Sequence, residues 1–173
     1  MPLADTLTAL IRAEIRCSLS RSQSVGDFSG QDKYDHLVAQ TVANGSGNGQ
    51  ASGAFTSELT ITTGGITVSL ADSADPLGAA GDDVPSSDPE ALKLRAILVE
   101  NRDTTNFITI APGSNGLTSW IGGTNPTVRV PALGLQLATF PNGLDVMNDT
   151  SDDELLFTAD TASVVIRLTY IYG

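Results

Sequence analysis

Nucleophilic catalysis by a serine or cysteine needs a base beside it, and this chain has a single histidine, His36, between Asp35 and Leu37. An imidazole titrates near neutral pH and could serve as that base or as a metal ligand. No G-x-S-x-G segment accompanies it to expose a nucleophilic serine on a tight turn. The residue types around it place His36 in a strand, and it is read as a structural or surface histidine. Cys17 is the single cysteine, so an internal disulfide is excluded. One histidine and one cysteine cannot fill a tetrahedral zinc site within one chain. Cys17 falls on an apolar stripe and is read as a small buried hydrophobe.

Carboxylates are the other chemical resource. Asp149, Asp152, Asp153 and Glu154 are a weak calcium candidate, since that cation takes several oxygen ligands from one loop. The D-x-D-x-D-G spacing of a calcium loop is missing, and a solvated turn accounts for the same residues. Asp72, Asp75, Asp82 and Asp83 lie in an Asp-, Pro- and Ser-rich stretch and read as solvated loop. Two facing carboxylates could hydrolyse a glycoside. Sugar-processing sites usually carry stacking aromatics, however, and aromatics are 5% of this chain. Gly45-Ser46-Gly47-Asn48-Gly49 has neither the G-x-G-x-x-G spacing of a dinucleotide loop nor the lysine of a phosphate loop. No catalytic, cofactor-binding or metal residue is therefore assigned, and the chain is expected to be non-enzymatic. Trp120 either caps the core or anchors a contact with a partner subunit. It joins Phe28 and Tyr34 as an interface candidate, because large aromatics concentrate binding energy.

The elements that would position these residues are strands. The chain has 173 residues, enough for one domain with a core of its own. Only 17% are charged, and Gly, Ser, Thr, Asn and Asp are abundant, as in short strands joined by tight turns. Twenty acidic against nine basic residues give a net charge of −11, which argues against nucleic-acid binding. No apolar run approaches the ~20 residues of a membrane span. The first twenty residues, with Asp5, Arg12, Glu14 and Arg16, do not read as a secretory signal. A protein made in a cytoplasm, soluble or assembled, is expected.

Ile11, Ala13, Ile15, Cys17 and Leu19 alternate with Arg12, Glu14, Arg16 and Ser18, the period of a strand with one buried face. Residues 20–33 carry loop chemistry, and a strand is expected over 34–42. Further strands are expected at 54–62 and 66–70, joined by a hairpin turn at Thr62-Thr63-Gly64-Gly65. After a long acidic loop at 71–90, strands follow near 92–99, 106–110, 127–130, 133–140, 155–158 and 163–172. The first of these is apolar enough to be central. Turns are expected at Pro112-Gly113, Asn115-Gly116 and Asn142-Gly143. Nine or ten short, mainly antiparallel strands predict an all-β fold, a single jelly-roll-like β-sandwich over 1–173. Segment 1–33 would be an attachment arm or an added strand.

Several segments taken together carry a resemblance. Ala43-Asn44-Gly45-Ser46-Gly47-Asn48-Gly49-Gln50-Ala51 precedes a predicted strand pair. Leu94 to Asn106 (LRAILVENRDTTN) follows the acidic loop. The chain closes through Val130-Pro131-Ala132-Leu133-Gly134 and Phe157-Thr158-Ala159-Asp160-Thr161-Ala162 to Leu168-Thr169-Tyr170-Ile171-Tyr172-Gly173. This order resembles a group of small virion structural proteins of tailed bacteriophages, over most of residues 40–173. Pro131-Ala132-Leu133-Gly134 departs from that group, which tends to have Pro-Gly-Gly there. The resemblance implies a β-sandwich subunit on a phage head or tail, packed against capsid or tail proteins. A homo-oligomer is expected, a trimer if the protein decorates a capsid. A carbohydrate- or receptor-binding module at a tail or fibre tip is the alternative.

Overall fold

The computed structural model describes residues 9–22, 29–44, 48–51, 53–70, 93–114, 116, 118, 120–121, 126–145 and 154–173. Eleven strands run in chain order: β1 (Ala9–Ser22), β2 (Ser29–Asn44), β3 (Gln50–Ala51), β4 (Gly53–Ile61), β5 (Ile66–Ser69), β6 (Lys93–Asn101), β7 (Ile108–Pro112), β8 (Val128–Val130), β9 (Leu135–Asp145), β10 (Glu154–Ala159) and β11 (Val164–Tyr172).

Eight of these strands form two four-stranded sheets, β4-β11-β6-β9 and β5-β10-β7-β8. All their pairings are antiparallel. Successive strands alternate between the sheets, except β7 and β8, which are neighbours. That order is the jelly roll expected from the sequence, but it is built of eight strands rather than nine or ten: β1 and β2 form a separate sheet with β3 instead of joining the sandwich. Along β11, Val164, Ile166, Leu168, Tyr170 and Tyr172 are buried, while Val165 and Arg167 between them are exposed. The same alternation on β4 and β10 supplies Phe55, Leu59, Ile61, Leu155, Phe157 and Ala159 to one interior. Phe55 stacks on Tyr170 at 5.0 Å between ring centroids. Trp120 is half-buried at the margin of this core, edge-on to Phe140 at 6.1 Å.

β6 is an inner strand, as its apolar run predicts, and a bulge explains why that run does not alternate. β6 takes two steps from Ala96 to Leu94 while β11 takes one from Ile171 to Tyr172, so Arg95 is the extra residue. The bulge resets the phase, and Leu94 joins the interior alongside Ile97 and Val99. Opposite it, β9 skips from Thr139, paired with Ala96, to Leu144, paired with Leu94. The expected turn at Asn142-Gly143 is therefore an excursion within one strand. Gly143 makes it with φ of 78°; a Cβ there would also stand 2.6 Å from Arg95 Nη1.

Two other expectations are corrected. The turn at Thr62–Gly65 exists, closed by Gly65 N–H to Thr62 O at 3.1 Å, but it joins no hairpin. β4 pairs with β11 and β5 with β10, so the turn carries the chain from one sheet to the other. Loop chemistry over 20–33 is likewise confined to its middle: β1 reaches Ser22 and β2 begins at Ser29. Serine, glycine and lysine are compatible with a strand when a long antiparallel partner supplies the hydrogen bonds. β1 and β2 pair in unbroken register from Ala9↔Val42 to Ser22↔Ser29, a ribbon about 45 Å long at ~3.3 Å per residue. Its other sheet neighbour is the two-residue β3, parallel to Ala43 and Asn44.

Candidate docking surface

The outer face of β4-β11-β6-β9 is organised in rows across the strands, fixed by register. One row reads Glu58, Arg167, Glu100, Leu135, the next Thr56, Thr169, Leu98, Leu137, and the next Ala54, Ile171, Ala96, Thr139. The face has an apolar half and a charged half. On the apolar half, Ile11 and Val42 at the base of the ribbon, with Ala51 of β3, bury against Ala96, Leu137 and Ile171. The ribbon is thus seated on the sandwich by a small second core, outside the main one.

The charged half is open to solvent. Glu58 accepts hydrogen bonds from Arg102 and from Arg167, the latter at 3.0 Å, and Arg167 stands 3.9 Å from Glu100. The two guanidinium groups hold the Glu58 carboxyl below the usual carboxylate range, the Arg167 hydrogen bond being the largest influence. Thr56 and Thr169 share a hydroxyl hydrogen bond of 2.6 Å beside this network. All four charged groups are substantially exposed, so the network shapes the surface more than it stabilises the fold.

At the β9 end of this face, the turn between β8 and β9 meets the segment after β6. Asn101, 1% exposed, ties them together. Its Nδ2 donates to the carbonyls of Asn106 (2.9 Å), Pro131 (3.0 Å) and Val130 (3.3 Å), and its Oδ1 accepts from Asp103 N–H (3.0 Å). Its own N–H donates to Gly134 O, and Leu133 N–H donates to Asp103 O, both at 2.9 Å. The Asp103 carboxylate accepts from the N–H groups of Thr105 and Asn106, which lowers its pKa. This clamp holds Leu133 at φ of 54°, the left-handed region that disfavours a branched side chain. Leu133 is 67% exposed and Leu135 66% exposed, so this corner presents two leucines to solvent.

Of the residues singled out from sequence, Glu154 is the first of β10, half-buried, and its carbonyl accepts from Gly113 N–H at 3.0 Å. Its companions Asp149, Asp152 and Asp153 lie outside the described residues, as do Phe28 and the loop at 71–90. Among the described residues no three His, Cys, Asp or Glu side chains gather as metal ligands. His36 and Tyr34 are on β2, opposite Ile15 and Cys17 of β1. Sequence reasoning missed Asn101, Leu133 and Leu135. A signal for the turn was present: Leu133 stands in the segment where the resembled proteins favour glycine. Compared with known protein families, curated proteins and solved structures, the chain matches none.

Proposed function

We propose that the chain is a non-enzymatic structural subunit of a tailed-phage virion, working by packing against capsid or tail proteins and against copies of itself. The observation that carries this reading is the ribbon β1–β2. It runs for fourteen residue pairs, and Ile11 and Val42 seat its base on the outer face of the sandwich. A two-stranded ribbon is marginal in water without a surface to lie on. A sequence that puts 14 and 16 of its 173 residues into the two strands of one is read as supplying half of an interface. The jelly roll behind it is filled with apolar side chains such as Tyr170, Phe157 and Ile97, each fully buried. Jelly rolls build viral capsids and also lectins and cupins, so the topology is compatible with the reading without selecting it. The motif order over residues 40–173 is what favours the virion reading among these.

Mass spectrometry of purified particles from the phage encoding this chain tests the reading. The chain is expected at a stoichiometry matching a symmetric head or tail position, with cryo-electron microscopy locating the jelly roll on the particle surface. Particles that assemble and infect normally without the protein ever being incorporated would refute it.

A further inference from the structure

We propose that β4 is the strand by which two copies of this chain pair, edge to edge and antiparallel about a two-fold axis at Ser57, so that the sheet β4-β11-β6-β9 runs on from one copy into the other. This deepens the subunit reading above, on which its place in a particle rests.

The backbone of β4 is set to pair outward. Among the described residues β4 pairs on one side, with β11, in unbroken register from Gly53↔Tyr172 to Ile61↔Val164. On β11, Val165 O accepts from Arg102 N–H, and Gly173 exchanges both its backbone bonds with Lys93, so the odd-numbered residues face β6. The even-numbered ones then face β4, where they meet Gly53, Phe55, Ser57, Leu59 and Ile61. The N–H and C=O groups of Ala54, Thr56, Glu58 and Thr60 consequently point away from the sheet. β4 has none of the devices that blunt an exposed edge: no proline, no lysine and no bulge.

The side chains make a second β4 the fitting occupant. Antiparallel pairing centred on Ser57 sets Phe55 against the partner's Leu59, Thr56 against the partner's Glu58 and Ala54 against the partner's Thr60. Phe55 and Leu59 are the buried, inward-facing residues on either side of Ser57, so the pairing prolongs the apolar interior of one copy into the next. Phe55, Leu59 and Ile61 are covered within one chain, whereas Ser57, facing the same way, is left half-exposed at the point where a partner would cover it. Charge agrees with this. Glu58 is the one ionisable residue of β4, and with Glu100, Arg102 and Arg167 it forms a group of zero net charge, on a chain whose net charge is −11. Two copies of this edge therefore meet without the repulsion expected between two such acidic chains. An axis at Glu58 would set two carboxylates face to face, which favours the axis at Ser57. The same patch serves both copies, so the contact is isologous and closes as a dimer, leaving the opposite edge, β9, for a different contact.

The test uses the full chain with Cys17→Ser and one introduced cysteine, Ser57→Cys or Ala54→Cys, under mild oxidation, read on non-reducing gels and by peptide mapping. In the proposed pair the two copies of position 57 face each other with Cα atoms ~4.5 Å apart, within reach of a disulfide. The two copies of position 54 lie ~20 Å apart along the strands. Disulfide-linked dimer is expected from position 57 at about tenfold or more the rate from position 54. Thr56→Pro removes an outward N–H and no bond to β11, and is expected to weaken self-association about tenfold or more in sedimentation, with the β-sheet circular dichroism retained. If that variant unfolds, the cysteine pair decides. Cross-linking that is equal at the two positions, or absent from position 57, overturns the proposal, as does association that a folded Thr56→Pro leaves unchanged. The two readings fail separately. A monomer that is nonetheless found in particles ends the β4 pairing and keeps the virion role. A dimer linked through position 57 that particles never contain keeps the pairing and ends the virion role.

Discussion

Removing the Asn101 carboxamide should unfasten the corner that carries Leu133 without touching the jelly-roll core. In Asn101→Ala, one buried acceptor, Val130 O, and two partly buried ones, Asn106 O and Pro131 O, lose their donor, and Asp103 N–H loses its acceptor. A buried group left without a partner costs ~1–3 kcal/mol, and a partly solvated one nearer ~0.5 kcal/mol, so a loss of about 3 kcal/mol is expected. For a domain of this size that corresponds to a fall in Tm of roughly 6–12 °C. Asn101→Asp gives the control for sign. It sets a carboxylate against carbonyl oxygens, which raises its folded pKa above that of the unfolded chain. The variant is then least penalised below the unfolded carboxyl pKa, ~3.9, and loses stability as pH rises towards and past the folded value. Urea unfolding at acid and neutral pH measures both variants. A loss under ~1 kcal/mol for Asn101→Ala, with no pH dependence in Asn101→Asp beyond that of the parent, would refute the clamp.

Other perturbations separate the fold from its surface. Leu133→Gly relieves a left-handed leucine and should raise stability by up to ~1 kcal/mol, partly offset by the greater freedom of glycine in the unfolded chain, as read by differential scanning calorimetry. Phe157→Ala empties the centre of the sandwich, where Phe157 is fully buried. It should cost ~3–5 kcal/mol in chemical denaturation. Glu58 has a lowered pKa, so its contribution is present above the unfolded carboxyl pKa and lost as pH falls through the lower folded value. Between neutral and strongly acid pH, Glu58→Gln should consequently lose less stability than the parent, and equal acid sensitivity of the two proteins would show that the Arg102 and Arg167 contacts contribute nothing measurable.

The strands of the sandwich were legible because their side chains alternate over one buried face, as in Val164 to Tyr172, and that pattern survives any choice of partner. What joins them was less legible. Thr62-Thr63-Gly64-Gly65 has the composition of a hairpin turn and makes a turn, but composition does not record whether the next strand returns beside the last or crosses to the facing sheet. Asn142-Gly143 misled for a similar reason. Glycine at positive φ serves a bulge as well as a turn, and the choice is made by Arg95 on the neighbouring strand, far away in sequence. The outer corner was illegible for a different reason. Asn101 reads as one of many polar loop residues until its four partners are brought round it from residues 103, 106, 130 and 131. Leu133 shows as an anomaly once its backbone angle is known.

The edges of the two sheets say where association can begin. β5 and β8 close one sheet with strands of four and three residues, too short to template another strand. β4 and β9 close the other with nine and eleven. β9 breaks its own edge with the excursion at Phe140–Gly143, where Gly49 N–H already donates to Pro141 O at 3.0 Å, which leaves Leu135–Thr139 as its regular stretch. The two exposed leucines stand at the start of that stretch. An incoming strand can therefore find apolar contact at the corner and backbone pairing along the adjacent edge. Substituting proline at Gln136 and at Leu137 in turn would separate these contributions. Whichever of the two N–H groups points away from β6 is the one available to an incoming strand. Loss of association from that variant, with the jelly roll still folded, would assign part of the contact to β-augmentation. Association insensitive to both prolines but abolished by Leu135→Asp would assign it to the side chains alone.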